Sequence, residues 1–369
     1  MKEKLLTFFK KETILCIACL LAVLSACIVP PDAAYLGYVD TRVLILLFSL
    51  MAVLAGFRAL GIFDRMANLL LARAKKMRQL ALTLVMLCFF SAMLVTNDVA
   101  LITFVPFTIL LLQRVHLEEK LIPVIVLQTI AANLGSMLTP VGNPQNLYLF
   151  SYYGLSAKMF FSAMLPPFIL STVLILLCCL AFPKDRLSVP EAQVTVDSRR
   201  AVIYGGLFCL AVAMVLRLVP YILGLAVIVL ALWLLDRHAL KTVDWGLLAT
   251  FAAFFTFSGN LARMEAVRVL FARLLSHGTV LVSALTCQII SNVPVAILLS
   301  RFTQDARGLL VGVNVGGAGT LVASLASLIT FREYTRHVPN GGKQFLFLFS
   351  GISFAFLAIL LAAMFVVMG

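Results

Sequence analysis

Long apolar runs alternate with short polar stretches along the chain, and this pattern predicts a series of membrane-spanning helices. A segment in lipid has to satisfy its own backbone hydrogen bonds, so each apolar run is expected to form a helix rather than a strand. A full crossing takes about 20 residues. The runs long enough for a crossing lie at 13–30, 43–60, 160–181, 201–218, 221–236, 245–257 and 345–368.

Two amphipathic stretches that carry arginine lie between these runs. They are Phe63–Met77 and Asn260–Leu275. A helix with one apolar and one basic face lies flat at the membrane surface, because each face then meets the solvent it prefers. We therefore predict an interfacial helix at each position.

Two other apolar stretches, 79–113 and 277–301, are interrupted by polar residues. The first contains Thr96-Asn97-Asp98 and the second contains Ser291-Asn292. The arm from Val99 to Gln113 is about 22 Å long as a helix, which is less than a hydrocarbon core of about 30 Å. Both stretches are therefore predicted to be helical hairpins that turn back within the membrane.

Two interrupted helices, 121–152 and 309–330, match each other in sequence. They are long enough to cross the membrane but contain Gly, Pro and Asn residues that break a helix. Their ungapped alignment pairs Asn133/Asn314, Gly135/Gly316, Thr139/Thr320, Val141/Val322 and Leu147/Leu328. Because the surrounding elements also recur in the same order, the match indicates an internal repeat.

The predicted topology places the two repeats in opposite orientations. We predict a first repeat at 1–182, a cytoplasmic linker at 183–200, an inverting helix at 201–219 and a second repeat at 220–369, with about nine crossings in all. With a cytoplasmic N-terminus, 21 of the 29 Lys and Arg residues fall on the cytoplasmic side, in line with the positive-inside rule. Inverted repeats with broken helices at the bilayer centre are typical of secondary transporters.

The composition supports a polytopic membrane protein. A content of 62% hydrophobic and 12% charged residues excludes a water-soluble globule, a disordered chain and a disulfide-rich secreted module. The net charge of +13 is scattered among the apolar runs, so nucleic-acid binding is not expected. The eight cysteines lie in apolar stretches and are predicted to be buried small side chains. The first run has the length of a retained helix rather than a cleaved signal.

Polar side chains in the hairpin tips and interrupted helices form the candidate substrate and ion site. Half-helix N-termini suit anions, and unwound carbonyls suit cations. The predicted residues are Thr96, Asn97, Asp98, Asn133, Gly135, Ser136, Thr139, Gly142, Asn143, Asn146, Ser291, Asn292, Asn314, Gly316, Gly317, Thr320 and Ser324. Close helix packing by Gly, Ser and Thr and capping by Asn are the alternative roles.

Residues of two further types, Pro and Gln, have predicted structural roles, and the sequence offers no enzyme chemistry. Pro140, Pro144 and Pro294 are expected to stop helices, while Gln128 and Gln288 are expected to hydrogen-bond between helices. No H-E-x-x-H, G-x-S-x-G, P-loop or paired metal-ligand spacing is present in the sequence. We therefore predict neither an enzyme, nor a metal site, nor a cofactor other than a coupling ion.

Asp98 is the only acidic residue predicted near the bilayer centre. Intramembrane acids are rare and mark proton or ion pathways, so Asp98 is the candidate coupling-ion residue. The alternative is a capping role for a helix that begins at Val99. Val293 takes the corresponding place in the second repeat, so the half-sites are predicted to differ. No Lys or Arg is predicted at this depth to neutralise a di- or trivalent anion, which gives weight to a Na+/H+ antiporter as the second possible function.

The runs Thr96–Leu101, Thr139–Leu147 and Ser291-Asn292 resemble the ion transporter superfamily. This group includes arsenical pump membrane proteins, citrate–metal transporters and divalent-anion/sodium symporters. The resemblance covers nearly the whole chain and implies two half-sites, at Asn97 with Gly135–Asn143 and at Asn292 with Gly316–Ser324. It implies a small inorganic or carboxylate anion as the substrate and H+ or Na+ as the coupling ion.

The chain departs from the symporter pattern in its second half-site. The first tip is Thr-Asn-Asp, as in the arsenite and citrate-like branches, while the Gly-Asn-Pro-Gln-Asn of the first loop has no equivalent in the second. The departure counts against a second sodium site. A separate ATPase subunit and a homodimer are both compatible with the resemblance, and neither is implied by it.

The sequence therefore predicts a secondary active transporter in the cytoplasmic membrane of a prokaryote. It would move a small anion or oxyanion by alternating access, coupled to H+ or Na+. Two other functions stay open on the same fold: a Na+/H+ antiporter that uses Asp98, and a passive channel.

Overall fold

The computed structural model describes residues 12–71, 74–186, 196–338 and 340–368. The predicted cytoplasmic N-terminus lies outside these residues, as does the part of the predicted linker from 187 to 195. In the first half the helices are α1 Thr13–Ile28, α2 Thr41–Ala59, α3 Ile62–Leu71, α4 Met77–Val95, α5 Asn97–Arg114, α6 Leu121–Ser136, α7 Pro144–Tyr152 and α8 Ala157–Leu180.

The second half has a similar succession of helices. They are α9 Ser198–Val215, α10 Tyr221–Leu235, α11 Arg237–Lys241, α12 Trp245–Arg263, α13 Glu265–Leu275, α14 Thr279–Ile290, α15 Asn292–Leu299, α16 Ala306–Val315, α17 Leu325–His337 and α18 Gly342–Met368. Short 3-10 turns lie at Ala33–Gly37, Glu118–Lys120 and Leu321–Ala323.

Seven of the described helices are long and apolar enough to cross a membrane, namely α2, α4, α5, α8, α9, α12 and α18. Helices α13 and α14 meet at a bend of 116° and add an eighth span if they count as one. The apolar helices α1 and α10 are shorter, with 16 and 15 residues. The predicted fold class, an all-helical polytopic membrane protein, is confirmed, whereas the predicted count of about nine crossings stays a prediction.

The first hairpin has longer arms than the sequence predicts. Its helices α4 and α5 contain 19 and 18 residues, so each is about 27 Å long, and the prediction of a 22 Å arm is wrong. The difference arises because α5 begins at Asn97, directly after the tip, and continues to Arg114. In the second hairpin α14 and α15 have only 12 and 8 residues, which is too short for two crossings.

The interfacial helix predicted to begin at Asn260 begins later. Helix α12 continues through Ser258-Gly259-Asn260 to Arg263, and α13 covers only Glu265–Leu275. Asn260 is fully buried and donates a hydrogen bond to Ser25 Oγ at 3.0 Å. At the neighbouring Gly259 the helix packs closely against the ring of Tyr38. The other predicted interfacial helix corresponds to α3, while Met77 already begins α4.

The two interrupted helices form the centre of the molecule. Every residue of α6 from Val124 to Ser136 is buried, and so is every residue of α16 except Arg307. A helix that is apolar on all sides is stable only when protein or lipid surrounds it completely. The breaks after α6 and α16 therefore place polar backbone inside protein, where other parts of the chain can satisfy it.

The two hairpins have their open ends at opposite ends of α8. At the C-terminal end of α8, Arg78 Nε donates to the carbonyl of Phe182 at 2.9 Å and fixes the open end of the first hairpin. Just before the N-terminal end of α8, the Tyr153 hydroxyl donates to the carbonyl of Thr303 at 2.8 Å and fixes the second. Helix α8 is about 36 Å long, so the open ends of the two hairpins lie far apart along it, while the inverted repeat itself stays a prediction.

Candidate functional site

The tips of the two hairpins have nearly the same unusual backbone conformation. Thr96 has φ 75° and ψ 150°, and Ser291 has φ 72° and ψ 153°. This region is essentially restricted to glycine, so a residue with a side chain is strained there, and such strain is common at functional sites. Each tip residue is followed at once by a helix, which places the N-termini of α5 and α15 at corresponding positions.

Each hairpin contacts its interrupted helix in the same way. Thr139 Oγ1 donates to the carbonyl of Met93, three residues before the first tip. Thr320 Oγ1 donates to the carbonyl of Gln288 at 2.9 Å, three residues before the second tip. Because Thr139 and Thr320 are aligned in the sequence repeat, these contacts agree with the predicted alignment.

The aligned glycines also occupy equivalent places. A Cβ on Gly135 would lie 2.4 Å from the carbonyl oxygen of Phe89, seven residues before the first tip. A Cβ on Gly316 would lie 2.7 Å from the Cα of Ala284, seven residues before the second tip. Both glycines therefore allow the interrupted helix to touch the backbone of its hairpin.

We expect Gly135→Ala to destabilise the protein by about 1–3 kcal/mol or more, because the added methyl group meets backbone atoms that cannot rotate away. The measurement is the thermal unfolding of purified protein in detergent. Gly206→Ala in α9 is the matched control, since a Cβ there meets nothing within 4 Å. Equal unfolding temperatures for the two variants would contradict the close packing at Gly135.

Four hydrogen bonds join the two interrupted helices at the centre of the molecule. Asn133 Nδ2 donates to Ser327 Oγ at 3.1 Å, and Ser324 Oγ donates to Asn133 Oδ1 at 2.9 Å. Asn143 Nδ2 donates to Asn314 Oδ1 at 3.1 Å, and Asn314 Nδ2 donates to Asn146 Oδ1 at 2.6 Å. All six side chains are buried.

These four bonds, the central Asn network, are reciprocal between the repeats. In the sequence alignment Asn133 corresponds to Asn314, Asn143 to Ser324 and Asn146 to Ser327. Each of the two aligned asparagines therefore contacts the same two positions of the other repeat. Such an exchange of equivalent contacts is the pattern that a two-fold axis produces between identical units.

The first tip joins this network directly, whereas the second does not. Asn97 Nδ2 donates to Asn133 Oδ1 at 2.9 Å, and the backbone N–H of Asn97 donates to the carbonyl of Gly142 at 3.1 Å. In both tips the Asn side chain accepts from the N–H of the next residue, at 3.0 Å for Asn97 and at 2.9 Å for Asn292, but Asn292 Nδ2 lies beside Gly317. The two predicted half-sites therefore differ in how they are connected.

The remaining predicted residues support the loops. Asn143 Oδ1 caps α7 by accepting from the N–H of Asn146 at 2.9 Å, and Asn143 Nδ2 donates to Ser136 Oγ at 3.1 Å. Ser291 Oγ lies 3.5 Å from the carbonyl of Ala323. Some of the predicted site residues therefore have capping and packing roles in addition to their hydrogen bonds between the repeats. Pro144 is the first residue of α7 and so begins a helix after the break, while Pro294 lies in the first turn of α15 and does not stop it.

A cavity of about 1020 Å³ reaches from one side of the molecule to Thr96, Asp98 and Asn143. Its wall contains one face each of α2, α5 and α17 and the start of α12. The start of α2 lies near the open end of the second hairpin, because the carbonyl of Tyr38, just before α2, accepts a hydrogen bond from Arg301. The cavity lies toward the other end of α2. The cavity therefore opens on the side from which the first hairpin enters.

Asp98 lies at the wall of this cavity and does not cap the helix. The cap of α5 is Thr96, whose Oγ1 accepts from the N–H of Val99 at 3.5 Å, so the capping alternative for Asp98 is wrong. Asp98 Oδ1 is buried and has no hydrogen-bond partner among the described residues. An acid without a fixed partner is available to a proton or a cation that enters the cavity.

Two arginines that sequence reasoning missed also line the cavity. Leu325, Leu328, Ile329 and Arg332 follow one face of α17, and a similar apolar face of α2 ends at Arg58. Within the described ranges neither Arg58 nor Arg332 forms an ion pair with an acidic residue. The absence of Lys and Arg near the bilayer centre stays a prediction, but the cavity wall does include these two cationic side chains. The three- and four-residue spacing of both faces is the signal that could have revealed them.

The acidic side chains of the cavity wall are Glu12, Asp98, Asp236 and Asp244. Asp244 caps α12 through the N–H of Leu247, and Asp236 accepts from the Tyr204 hydroxyl at 2.9 Å. No group of three His, Cys, Asp or Glu side chains suited to a metal ion occurs in the described part of the chain. The cavity therefore offers both signs of charge to a small solute.

The two glutamines predicted to act between helices do so. Gln128 Nε2 donates to Thr108 Oγ1 at 2.9 Å and to the carbonyl of Leu84 at 3.2 Å, which ties α6 to both arms of the first hairpin. Gln288 Nε2 donates to the carbonyl of Gly316 at 2.8 Å, which ties the second hairpin to the loop after α16. Neither glutamine lines the cavity.

Comparison with known proteins gives related transporters over most of the chain. The sequence profile of the citrate transporter family matches residues 5–306. The inner membrane protein YbiR of Escherichia coli is 32% identical over 80% of this chain and 80% of its own length. An uncharacterized transporter of Methanocaldococcus jannaschii is 31% identical over 82% of this chain and 84% of its own length.

A more distant relative matches a shorter segment. A silicon efflux transporter of rice, Oryza sativa, is 30% identical over 41% of this chain and 31% of its own length. The relatives named here are transporters or membrane proteins, and the match to the predicted superfamily is confirmed.

Proposed function

The chain belongs to the citrate transporter family, and on that basis we propose that it moves a small anion or oxyanion across the cytoplasmic membrane by alternating access. The transport is coupled to a proton or to sodium. The inner membrane location is supported by the name of the Escherichia coli relative. That the protein is a multi-pass membrane transporter, and not an enzyme, follows from the family and the apolar helices.

The observation that carries the proposal is the cavity that ends at Asp98 beside the central Asn network. Thr96, Asp98 and Asn143 line the cavity, and Asn143 is itself bonded to the opposite repeat through Asn314. A solute bound there contacts the first hairpin and the junction of both repeats. Secondary transporters place their substrate at this kind of repeat interface, because movement of one unit then changes the side from which the site is reached.

The charges of the cavity suit an anion that travels with a cation. Arg58 and Arg332 are available to attract an anion at the cavity wall, while Asp98 is available to a proton or a metal cation. The site itself is built from neutral amides and hydroxyls, which can hold an oxyanion without the cost of a second buried fixed charge.

The experiment is uptake by liposomes that contain the purified protein. Labelled citrate, succinate, sulfate and arsenite are offered under an imposed proton or sodium gradient, and silicate is added because of the name of the rice relative. We expect at least one anion to accumulate above its electrochemical equilibrium. Protein-free liposomes are the control, and the absence of accumulation for every solute under both gradients would contradict the proposal.

A Na+/H+ antiporter is the second candidate function. It is favoured by the acidic side chains in the cavity wall, since Glu12, Asp98, Asp236 and Asp244 would attract cations. Under this function the same liposomes exchange sodium for protons and accumulate no anion. A passive channel would let solutes move only down their electrochemical gradients, so the one assay separates all three functions.

A further inference from the structure

In the first interrupted helix a side-chain amide lies among backbone carbonyls. Asn146 Nδ2 donates to the carbonyl oxygens of Met137 and Thr139, each at 3.1 Å, and lies 3.5 Å from that of Ser136. These carbonyls belong to the end of α6 and the loop that follows it. Asn146 is fully buried, and its Oδ1 accepts from Asn314 Nδ2, so the amide is held in place at both atoms.

In the second interrupted helix a different residue supplies the same group. Gln288 Nε2 donates to the carbonyl oxygens of Gly316 at 2.8 Å, Ala284 at 2.9 Å and Ala318 at 3.1 Å. Gln288 Oε1 accepts from the N–H of Thr320 at 2.8 Å. In the repeat alignment Ala318 corresponds to Met137, so the two amides contact an equivalent carbonyl although they come from different elements.

At each loop two carbonyl oxygens from the end of a half-helix converge on the amide, those of Met137 and Thr139 in the first and those of Gly316 and Ala318 in the second, and such converging carbonyls are a typical cation environment. Unwound carbonyls and half-helix C-termini coordinate sodium in transporters of this architecture, because they replace the hydration shell of the ion. An amide NH2 group has two donor hydrogens with partial positive charge and can satisfy the same oxygens. It is attached to the chain, however, and cannot be released during a transport cycle.

We propose that the amides of Asn146 and Gln288 occupy the two positions at which the interrupted helices would otherwise bind sodium. The two residues therefore act as ion-selectivity determinants that make both loops independent of sodium. This inference rests on the proposed function for its meaning in transport: it leaves the carboxyl group of Asp98, and neither set of loop carbonyls, as the place where the coupling ion binds. Whether sodium can bind at the two sets of carbonyl oxygens does not depend on which solute the protein carries.

A matched pair of variants at Gln288 tests the inference. Gln288→Ala removes the amide and opens space beside the carbonyls, whereas Gln288→Met removes the amide but keeps the space filled. The thermal unfolding of the purified full-length protein is measured in NaCl and in choline chloride at equal ionic strength. Binding to the folded state raises its apparent stability, so sodium binding appears as a higher unfolding temperature.

All proteins in this comparison carry Asp98→Asn, which removes the carboxyl group of the cavity as a second place for sodium. In this background we expect no saturable sodium effect with both amides intact or with Gln288→Met. With Gln288→Ala we expect sodium to raise the unfolding temperature by at least about 2 °C. Asn146→Ala and Asn146→Leu provide the same comparison at the other loop if Gln288→Ala does not fold. A saturable sodium effect with both amides intact, or none in either alanine variant that folds, would overturn the inference.

Failure of this inference can be told apart from failure of the proposed function. The sodium measurement uses no transported solute, so a protein that accumulates no anion in liposomes still gives a valid result for the two amides. Conversely, sodium binding by Asp98→Asn with both amides intact would overturn the inference while gradient-driven anion uptake by the wild type continued to support the transporter.

Discussion

Asp98→Asn is expected to abolish gradient-driven accumulation of the transported anion while the protein still inserts into the membrane. The asparagine has nearly the same size as the aspartate but can neither release a proton nor carry a charge. Asp98 lines the cavity, and its Oδ1 has no hydrogen-bond partner among the described residues, so the substitution breaks no bond to that atom. The loss would therefore report on the chemistry of the carboxyl group.

The measurement is uptake by liposomes under the gradient that drives the wild type, with the amount of inserted protein determined in parallel. Glu119→Gln is the matched control, because its side chain is 72% exposed in the loop between α5 and α6. The control is expected to accumulate the anion at the wild-type rate. Accumulation by Asp98→Asn at that same rate would show that the carboxyl group takes no part in coupling.

Asn314→Ala is expected to cause the largest loss of stability among single substitutions in the central Asn network. The side chain of Asn314 accepts from Asn143 and donates to Asn146 and to the carbonyl of Leu310, all in buried surroundings. Asn146 Oδ1 would lose its only partner, which costs about 1–3 kcal/mol, and the lost hydrogen bonds to Asn143 and to the Leu310 carbonyl cost about 0.5–1.5 kcal/mol each. We therefore expect a loss of about 2–5 kcal/mol and a clearly lower unfolding temperature.

The same measurement on Asn340→Ala, at an exposed position outside the network, is expected to give the wild-type unfolding temperature. A double-mutant cycle of Asn314→Ala with Asn146→Ala isolates the bond between the two side chains, and a coupling energy of about 0.5–3 kcal/mol is expected. Additive effects of the two substitutions would show that the two repeats are not held together by this contact.

The sequence predicts the positions of the polar elements well because they depend on local patterns. Clustered Gly residues after Asn314, and Gly with Pro after Asn133, disfavour a continuous helix locally, so the breaks after α6 and α16 are visible in the sequence alone. The alignment of Thr139 with Thr320 also anticipates two equivalent contacts to the hairpins. These features need no knowledge of how the two halves are packed.

The partners within the site could not be predicted in the same way. That Asn314 bonds to Asn143 and Asn146 depends on the relative orientation of two halves separated by more than a hundred residues. The role of Asp98 depends on the backbone of Thr96, whose positive φ lets the helix begin two residues before Val99. Arg332 reaches the cavity only because one face of α17 packs toward α2 and α5.

The most direct test of the central claim, that two oppositely oriented units meet through buried polar side chains, is the sidedness of the hairpin ends. Glu119→Cys and Gln304→Cys each place one thiol in an exposed loop, at the open end of the first and second hairpin respectively. Sealed vesicles of known orientation are treated with a membrane-impermeant thiol reagent, and unsubstituted protein gives the background from the native cysteines. We expect the two positions to react from opposite sides of the membrane. Reaction of both positions from the same side would contradict the opposite orientation of the two units.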